Sequence, residues 1–517
     1  MMSGRKAFMK YMKTVAIAVV MTAVLLLCAC VKGNDEITSL DQLDEEGNVV
    51  AISTSTPEAN KVMKEFRHAK IESYTDIFPA YQEVSTGKVD ACISQRIQME
   101  RAIEHGVSGV RILDETYCDN TVAIAVSRKT EIPDLRDKIN QFLREKKEDG
   151  TLDDMYQRWA VDENYVMPDI PPADDPQYAV TVATTGTIEP WSFYVGTDLS
   201  GYDIELAKRF AAWLGAGLQL KVYDFGGVIS AAQSGDADCV MSNLYYLPEY
   251  EEALDFSDPV MTIEVTAMVK DHGSAKNEEG FLTYIKNSFE RTFLAEDRWK
   301  LFVSGAVTTL IITAASILLG ALLGFVMYNI SRGGGRVADA LTRFAVWLVQ
   351  GMPAVVLLML LYYVVFGSVT IPGTIVAVMG FTLIFGATVY TRIKEGVAAV
   401  GSGQIRAAYS LGYSDRKAFF RIILPQAMPF IFSPLRGDMS ALLRATAVVG
   451  YIAVQDLTKM ADIVRSRTYD ALFPLISIAV IYFILEALIN LSAKRVEPLF
   501  DPKRRKREEI LKGVKRR

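Results

Sequence analysis

Five long apolar stretches in the second half of this 517-residue chain limit its fold more than any other feature. They lie at about 302–327, 344–366, 371–390, 430–454 and 472–489. Each is close to the roughly 20 residues that an α-helix needs to cross a bilayer. Arg436, Asp438 and Arg444 interrupt the fourth. The pattern predicts an all-α polytopic membrane domain of about five transmembrane helices over residues 301–495.

Basic residues cluster in the loop after the first stretch, in the loop after the third and in the tail 496–517. They are Arg332, Arg336, Arg343; Arg406, Arg416, Lys417, Arg421; and Lys503, Arg504, Arg505, Lys506, Arg507. Because such residues accumulate on the cytoplasmic side, these segments and the C-terminus are expected there. The segment 458–470, expected outside, breaks the pattern because it carries Lys459, Arg465 and Arg467.

The N-terminus has the pattern of a secretory signal. Four basic residues precede an apolar run at 15–27, which ends in Cys28-Ala29-Cys30. This resembles a lipoprotein signal peptide over residues 1–29, with Cys30 as the lipidated residue. An uncleaved membrane anchor is the alternative. Both interpretations place the residues after Cys30 outside the cytoplasm.

Residues 30–270 show alternating helix and strand patterns. Two segments share one signature, GKVDACIS at 87–94 and GDADCVMS at 235–242, each typical of a helix end, a turn and a buried strand. Cys92 and Cys239 fit these strands as small buried hydrophobes, and no cysteine spacing suggests a metal site. Residues 161–177 are rich in Pro and Asp and predict a linker. The pattern therefore predicts two similar α/β lobes.

Between the third and fourth apolar stretches lies a polar, basic segment, GQIRAAYSLGYSDRKAFFRIILPQAM at 403–428. It resembles the cytoplasmic coupling loop of ABC-importer permeases, whose pattern is E-A-A, three residues, G, then about nine residues to I-x-L-P. The matching residues are Ala407, Ala408, Gly412, Ile422, Leu424 and Pro425, while Arg406 stands where the family usually has Glu. The resemblance, to the polar-amino-acid branch of that family, covers about 290–496.

This resemblance implies a loop that docks on a separate cytoplasmic ATPase subunit. The chain itself has no G-x-x-x-x-G-K-[ST] phosphate loop, so ATP hydrolysis would come from that partner. Two permease halves would form the pathway, as a homodimer or as a heterodimer with another permease. The chain is therefore expected to be a transport subunit of the bacterial cytoplasmic membrane rather than an enzyme, with no cofactor, no metal and no nucleic-acid partner.

Residues 178–270 resemble the first lobe of the family 3 extracellular solute-binding proteins. The markers are Pro190-Trp191-Ser192-Phe193, the run GYDIEL at 201–206 and ALDFSDP at 253–259. Residues 30–160 resemble the second lobe of that family, followed by the helices that return to the first. Because the order is reversed, we interpret the region as one circularly permuted, type II periplasmic-binding-protein-like clamshell; two truncated lobes in tandem are the alternative. The connector 271–300 is expected to lie on the bilayer as an amphipathic helix.

In the binding-protein family an Arg holds the α-carboxylate of an amino acid and an Asp holds its amino group. Here Tyr250 and Gln95 stand at those positions. The resemblance implies a ligand site formed by Trp191, Phe225, Asn243, Tyr245, Tyr250, Ser55, Thr56 and Gln95. Since a neutral Tyr cannot replace a guanidinium, we expect a ligand other than a plain α-amino acid, or a binding half that has lost its ligand.

Together these features predict a mixed fold, an α/β clamshell followed by an all-α membrane domain. They predict an importer subunit with its own receptor for amino acids or related small polar solutes. A ligand-gated channel and a solute sensor with a degenerate permease are the alternatives.

Overall fold

The computed structural model describes residues 36–54, 56–271, 281–367, 369, 371–470 and 472–500. The predicted signal peptide, Cys30, Ser55 and residues 501–517 of the tail lie outside this range. The chain divides into a first unit, Met1–Asp119 with Glu264–Asn277, and a second unit, Asn120–Ile263 with Glu278–Arg517. We call residues 120–263 the α/β domain and residues 281–500 the helical domain of the second unit.

The described strands are β1 Val49–Ser53, β2 Lys70–Tyr74, β3 Ala91–Gln95, β4 Val110–Ile112, β5 Cys118–Val122, β6 Ala125–Ser127, β7 Ala179–Thr184, β8 Thr187–Ile188, β9 Ser192–Val195, β10 Asp198–Ser200, β11 Gly217–Val222, β12 Cys239–Val240, β13 Leu254–Phe256 and β14 Met261–Lys270. The α-helices before the helical domain are α1 Pro57–Glu65, α2 Phe78–Thr86, α3 Arg96–Glu104, α4 Leu135–Glu148, α5 Thr151–Tyr156, α6 Tyr202–Leu214 and α7 Phe225–Ser234.

The first unit is built on a sheet in the order β2-β1-β3-β14-β4, with β5 beside β14. Strands β1, β2 and β3 are parallel, and β14 runs antiparallel to β3. Because both faces of this sheet are covered, β3 is buried along its whole length. Helix α2 ends at Gly87, whose φ of 75° a glycine adopts without strain, and the chain then enters β3.

The α/β domain contains a second sheet, in the order β11-β7-β12-β6-β13. Its helix α7 ends at Gly235, which has a φ of 87°, and the chain then enters the buried strand β12. The same arrangement of a left-handed glycine between a helix and a buried strand occurs at Gly87. Both segments of the shared signature therefore form a helix, a left-handed glycine and a buried strand.

Helices α4 and α5 precede β7 in the chain but pack on the helix that follows it. Phe142 of α4 contacts Phe210 of α6 at a ring-centroid distance of 5.4 Å. Glu205 of α6, fully buried, pairs with Arg158 at 2.8 Å and accepts a hydrogen bond from Trp159 Nε1 at 2.7 Å. This packing is what helices returning to the first lobe would make, and it is consistent with a permuted order.

The α-helices of the helical domain are α8 Phe281–Phe289, α9 Trp299–Gly333, α10 Gly335–Gln350, α11 Ala354–Met359, α12 Gly373–Ala399, α13 Ser402–Ser410, α14 Asp415–Ala418, α15 Leu424–Ala445, α16 Leu457–Thr468 and α17 Leu472–Phe500. Helical turns at Leu360–Val365, Phe419–Ile423 and Thr446–Ile452 extend α11, α14 and α15.

Four helices of the described chain are long and apolar enough to cross a membrane: Trp299–Gly333, Gly373–Ala399, Asp415–Ile452 and Leu472–Pro498. The bent pair α10 and α11 makes up to five. The apolar stretch at 344–366 does not form one continuous helix, because the chain turns by 107° between Gln350 and Ala354. Pro353 is extended (ψ 141°) and has no backbone N–H, so α10 cannot continue through it.

The charges that interrupt the fourth apolar stretch pair with neighbouring helices. Asp438 accepts two hydrogen bonds from Arg392 of α12, at 2.7 and 3.0 Å. Arg444 pairs with Glu486 of α17 at 3.0 Å. Pairing lowers the cost of placing these charges in a membrane span. The mixed fold class, α/β sheet structure followed by a helical domain with four to five apolar helices, is confirmed.

Candidate functional site

A cluster of buried hydroxyl groups lies at the carboxyl ends of β7 and β12 in the α/β domain. The Oγ1 of Thr184 is 2.6 Å from Ser192 Oγ, and the Oγ1 of Thr185 is 2.9 Å from Ser242 Oγ. Ser192 Oγ also accepts the N–H of Gly186 at 3.2 Å. The carboxyl edge of an α/β sheet is where ligands commonly bind, so this edge is the candidate solute site of the domain.

Asp203 connects two of the predicted ligand residues at this edge. Its N–H donates to the carbonyl of Trp191 at 2.9 Å, and its carboxylate accepts the N–H of Asn243 at 2.6 Å. Burial raises the pKa of Asp203 to about 7, although the hydrogen bond from Asn243 acts against this. Asn243 has a φ of 48°, and its buried Oδ1 has no hydrogen-bond partner among the described residues.

The other predicted ligand residues of the α/β domain differ in exposure. Trp191 is only 1% exposed and packs edge-on against Tyr202, so its ring belongs to the core of the domain. Tyr245 is buried and forms a backbone bridge to Val122. Phe225 and Tyr250 are half-buried, the first at the start of α7 and the second at the end of a short 3₁₀ turn.

Two predicted ligand residues lie in the first unit. Thr56 is the N-cap of α1, and its Oγ1 accepts the N–H of Ala59 at 3.3 Å. Gln95 is buried at the end of β3 and precedes α3. Ser55 lies outside the described residues. The assignment of these residues to a ligand site stays a prediction.

Sequence reasoning missed a second group of residues, on helix α16. Lys459 is 4% exposed; its Nζ donates to Asp224 Oδ1 at 2.9 Å and to the carbonyl of Tyr223 at 2.8 Å. The N–H of Asp224 donates to the carbonyl of Gly450 at 3.3 Å. The loop that leads into Phe225 is thus held by two elements of the helical domain.

Arg467, at the other end of α16, forms a buried ion pair with Glu189 of the α/β domain. The two residues are 5% and 1% exposed. Arg467 also pairs at 3.1 Å with Glu296, which pairs at 3.0 Å with Arg298. Burial alone would raise the pKa of Glu296, but the two arginines hold it below its usual value.

Two hydrogen bonds add to these ion pairs. Tyr362 of the α11 extension donates to Asp236 at 2.7 Å, and Gln455 donates to Tyr194 at 2.6 Å. The sequence did hold a signal for this contact surface. The basic residues of segment 458–470 broke the charge pattern of the membrane domain, and the structure pairs Lys459 and Arg467 with acids of the α/β domain.

The segment that resembles a coupling loop forms a helix–turn–helix. Helix α13 carries exposed Arg406 and Ala407 and buried Ala408, and the turn contains Gly412 with a φ of 78°. Helix α14 and its extension then lead to Leu424 and Pro425, the first residues of α15.

The turn is fixed to the helical domain by Asp415. This residue accepts hydrogen bonds from Arg332 of α9 at 2.7 Å and from Tyr409 at 2.6 Å. Leu411 remains 75% exposed and Tyr409 48%. The loop therefore presents an exposed apolar tip around Leu411.

Comparison with known proteins gives two family matches. Residues 316–506 match the binding-protein-dependent transport system inner membrane component, and residues 180–341 match the bacterial extracellular solute-binding proteins, family 3.

Curated relatives match the helical domain. A putative glutamine transport system permease protein of Rickettsia felis is 30% identical over 201 residues, which is 38% of this chain and 90% of that protein. The L-cystine transport system permease protein of Bacillus subtilis is 27% identical, over 39% of this chain and 88% of that protein. The histidine/lysine/arginine/ornithine transport system permease protein of Salmonella typhimurium is 24% identical, over 36% of this chain and 88% of that protein.

Among solved structures, an amino acid ABC transporter with histidines is 29% identical, with a TM-score of 0.37 over 44% of this chain and 99% of that chain. The sequence matches confirm both predicted resemblances. The chain belongs to the family of binding-protein-dependent transport system inner membrane components, and it carries a family 3 solute-binding region in the same polypeptide.

Proposed function

We propose that this chain is the membrane-spanning subunit of an ATP-driven importer for amino acids or related small polar solutes, with its own solute receptor. The curated relatives are named as transport proteins for glutamine, cystine and basic amino acids. Their matches cover the helical domain, and the receptor function follows from the separate match to solute-binding proteins.

One observation carries the proposal. The helix Asp415–Ile452 begins at the coupling-loop turn, and near its other end the carbonyl of Gly450 accepts a hydrogen bond from the N–H of Asp224 of the α/β domain. At 1.5 Å per residue, the 25 steps from Pro425 to Gly450 span about 38 Å, more than the roughly 30 Å of a bilayer core. A single helix therefore connects the docking surface for an ATPase with the receptor.

The proposed partners follow from this arrangement. A cytoplasmic ATPase would bind the exposed apolar tip around Leu411. A second helical domain would complete the transport pathway, and it would come from another copy of this chain or from a related permease. The cytoplasmic position of the loop rests on its basic residues. The connector helix α8 has exposed apolar residues such as Phe289, and we propose that it lies on the outer surface of the bilayer.

The solute is proposed to need no arginine of the α/β domain. All five arginines of residues 120–263 form ion pairs with acids of the same domain. They are Arg128 with Asp255, Arg136 with Asp137, Arg144 with Asp258, and Arg158 and Arg209 with Glu205. The hydroxyl cluster and the unpaired Oδ1 of Asn243 favour a solute that presents hydrogen-bond donors, such as an amide or an ammonium group.

The test is uptake by proteoliposomes that contain the full chain with its co-purified ATPase. Labelled L-glutamine, L-cystine, L-histidine, L-lysine and L-glutaminamide are offered outside, with ATP or a non-hydrolysable analogue supplied to the ATPase. An importer accumulates at least one solute against its gradient only with ATP. Solute flux without ATP would indicate a channel instead, and solute binding without flux would indicate a sensor.

A further inference from the structure

The contact between the α/β domain and the helical domain differs from the interface of a receptor that binds its membrane partner reversibly. Glu189, Lys459 and Arg467 are each at most 5% exposed, although each carries a charge. Separation of the two domains would break the ion pairs of Arg467 with Glu189 and of Lys459 with Asp224, which compensate for the burial of these charges. Reversible protein contacts keep most of their charges at a solvated rim, whereas this contact has them in its interior.

The apolar core is also continuous across the contact. One cluster of buried residues contains Tyr223, Val228 and Leu254 of the α/β domain together with Tyr362 and Ile452 of the helical domain. A second cluster packs Tyr194 against residues of α16, including Leu457, Met460 and Val464. An interface that resembles a domain core cut in half is typical of permanent association.

We propose that the α/β domain stays docked on the helical domain throughout transport. This inference rests on the proposed importer function, and it identifies Lys459 and Arg467 as the residues that hold the receptor. The moving part of the receptor is then the first unit alone. The outer face of α16 is also closed to any separate receptor protein.

The structure offers a covalent test of permanent docking. A Cβ atom at Gly450 would lie 2.9 Å from Cγ of Asp224. Because a cysteine sulfur takes the place of that Cγ, this is close to the separation of about 3 Å between a Cβ and the opposite sulfur of a disulfide. The double variant Asp224→Cys/Gly450→Cys is therefore expected to form a disulfide readily when diamide is added as the oxidant. The variants with only one of the two new cysteines, Asp224→Cys or Gly450→Cys, are the matched controls. They show whether a new cysteine forms a disulfide with one of the five native cysteines instead.

A second pair leaves the ion pair of Lys459 intact. A Cβ at Gly226 would lie 4.0 Å from the ring of Tyr451, so a short bis-methanethiosulfonate can bridge Gly226→Cys/Tyr451→Cys. Each thiolate displaces methanesulfinate and forms a disulfide with the linker, which a reductant cleaves. Disulfide-linked or bridged peptides are quantified by mass spectrometry, and ATP-driven uptake is measured before and after bridging, with L-glutamine and L-histidine as probes.

Permanent docking predicts that bridged protein keeps at least half of the uptake of the same sample after reduction. It also predicts an equal bridging yield with and without solute and ATP. Uptake that is lost on bridging and regained on reduction, in either pair, would overturn the proposal, as would a yield that falls severalfold during turnover. If the wild-type chain transports nothing, the importer function fails, and the bridging yield still decides whether the contact opens.

Discussion

At the scale of single residues, the buried ion pair of Arg467 with Glu189 is the most consequential feature that the structure adds. Neither residue belonged to a motif of either family. Their partnership joins positions 278 residues apart, so only the folded chain reveals it. The sequence did mark Arg467 as a basic residue in a segment expected outside the cytoplasm, where basic residues are less common.

Replacing Arg467 with Leu should destabilise the full chain, by about 3–5 kcal/mol, because Glu189 would remain as an uncompensated buried charge. The double variant Arg467→Leu/Glu189→Leu should recover most of this loss. Thermal unfolding of the detergent-solubilised chain measures both. Arg465→Leu is the control, since its partner Asp462 lies on the same helix and both are more exposed. Equal effects at 465 and 467 would contradict this account.

Asp203 should make stability depend on pH. Its pKa rises from the usual value of about 3.9 in the unfolded chain to about 7 in the folded domain. The folded state therefore holds the proton more tightly, and the contribution of Asp203 to stability is lost as pH rises from about 4 to about 7.

Melting temperatures of the wild type and of Asp203→Asn, measured from pH 5 to pH 8, test this. The wild type should lose stability relative to the variant as pH rises. Asp198→Asn, at an exposed position, should follow the wild type. A constant difference between wild type and Asp203→Asn across this range would show that Asp203 titrates normally.

The candidate ligand residues show the limit of prediction at this scale. The resemblance identified the loop of Asn243 and Tyr245, which does lie at the carboxyl edge of the sheet. It could not tell that Trp191 turns into the core, because exposure depends on the packing of Tyr202, eleven residues further along the chain. It also gave no reason to single out Asp203, whose role depends on the loop that folds back over it.

At the scale of elements, the apolar stretches predicted about five membrane helices, and the described chain has four to five, but they did not predict the bend between α10 and α11. Hydropathy is a sum over residues and is insensitive to backbone direction. The only local sign was Gly351-Met352-Pro353, which is equally compatible with a kinked span. The charges within the fourth stretch made that span look doubtful, yet each pairs with a neighbouring helix.

The turn between α13 and α14 leads to a prediction about coupling. Gly412 is left-handed, and an alanine there would meet no atom within 4 Å but would cost about 1 kcal/mol of backbone strain. Gly412→Ala should therefore change the direction of α13 relative to α14 and lower ATP-driven uptake severalfold, with little change in melting temperature. Gly403→Ala, in open space with an ordinary helical backbone, is the matched control. Equal uptake by the two variants would remove the coupling role of the turn.

At the scale of the whole molecule, sequence predicted the architecture well because each domain carries a strong local pattern. The repeated helix–glycine–strand signature and the apolar stretches are independent of how the domains join. The contact surface between the α/β and helical domains could not be predicted. Its residues are scattered over loops and helix ends. Their burial depends on two complementary surfaces meeting in the fold, and this produces no periodic pattern in the sequence.

The shared core has a consequence for any attempt to study the receptor alone. A fragment of residues 34–270 would lack the helical domain, so Glu189 and Asp224 would lose their basic partners and the apolar residues around Tyr223 would face water. We expect this fragment to associate or to melt well below the α/β domain in the full chain, as size-exclusion chromatography and thermal unfolding would show. Adding Glu189→Gln and Asp224→Asn should not restore it, because the exposed apolar surface remains. A monodisperse fragment with an unchanged melting temperature would mean that the domain is stable without its contact, and permanent docking would then lose its energetic basis.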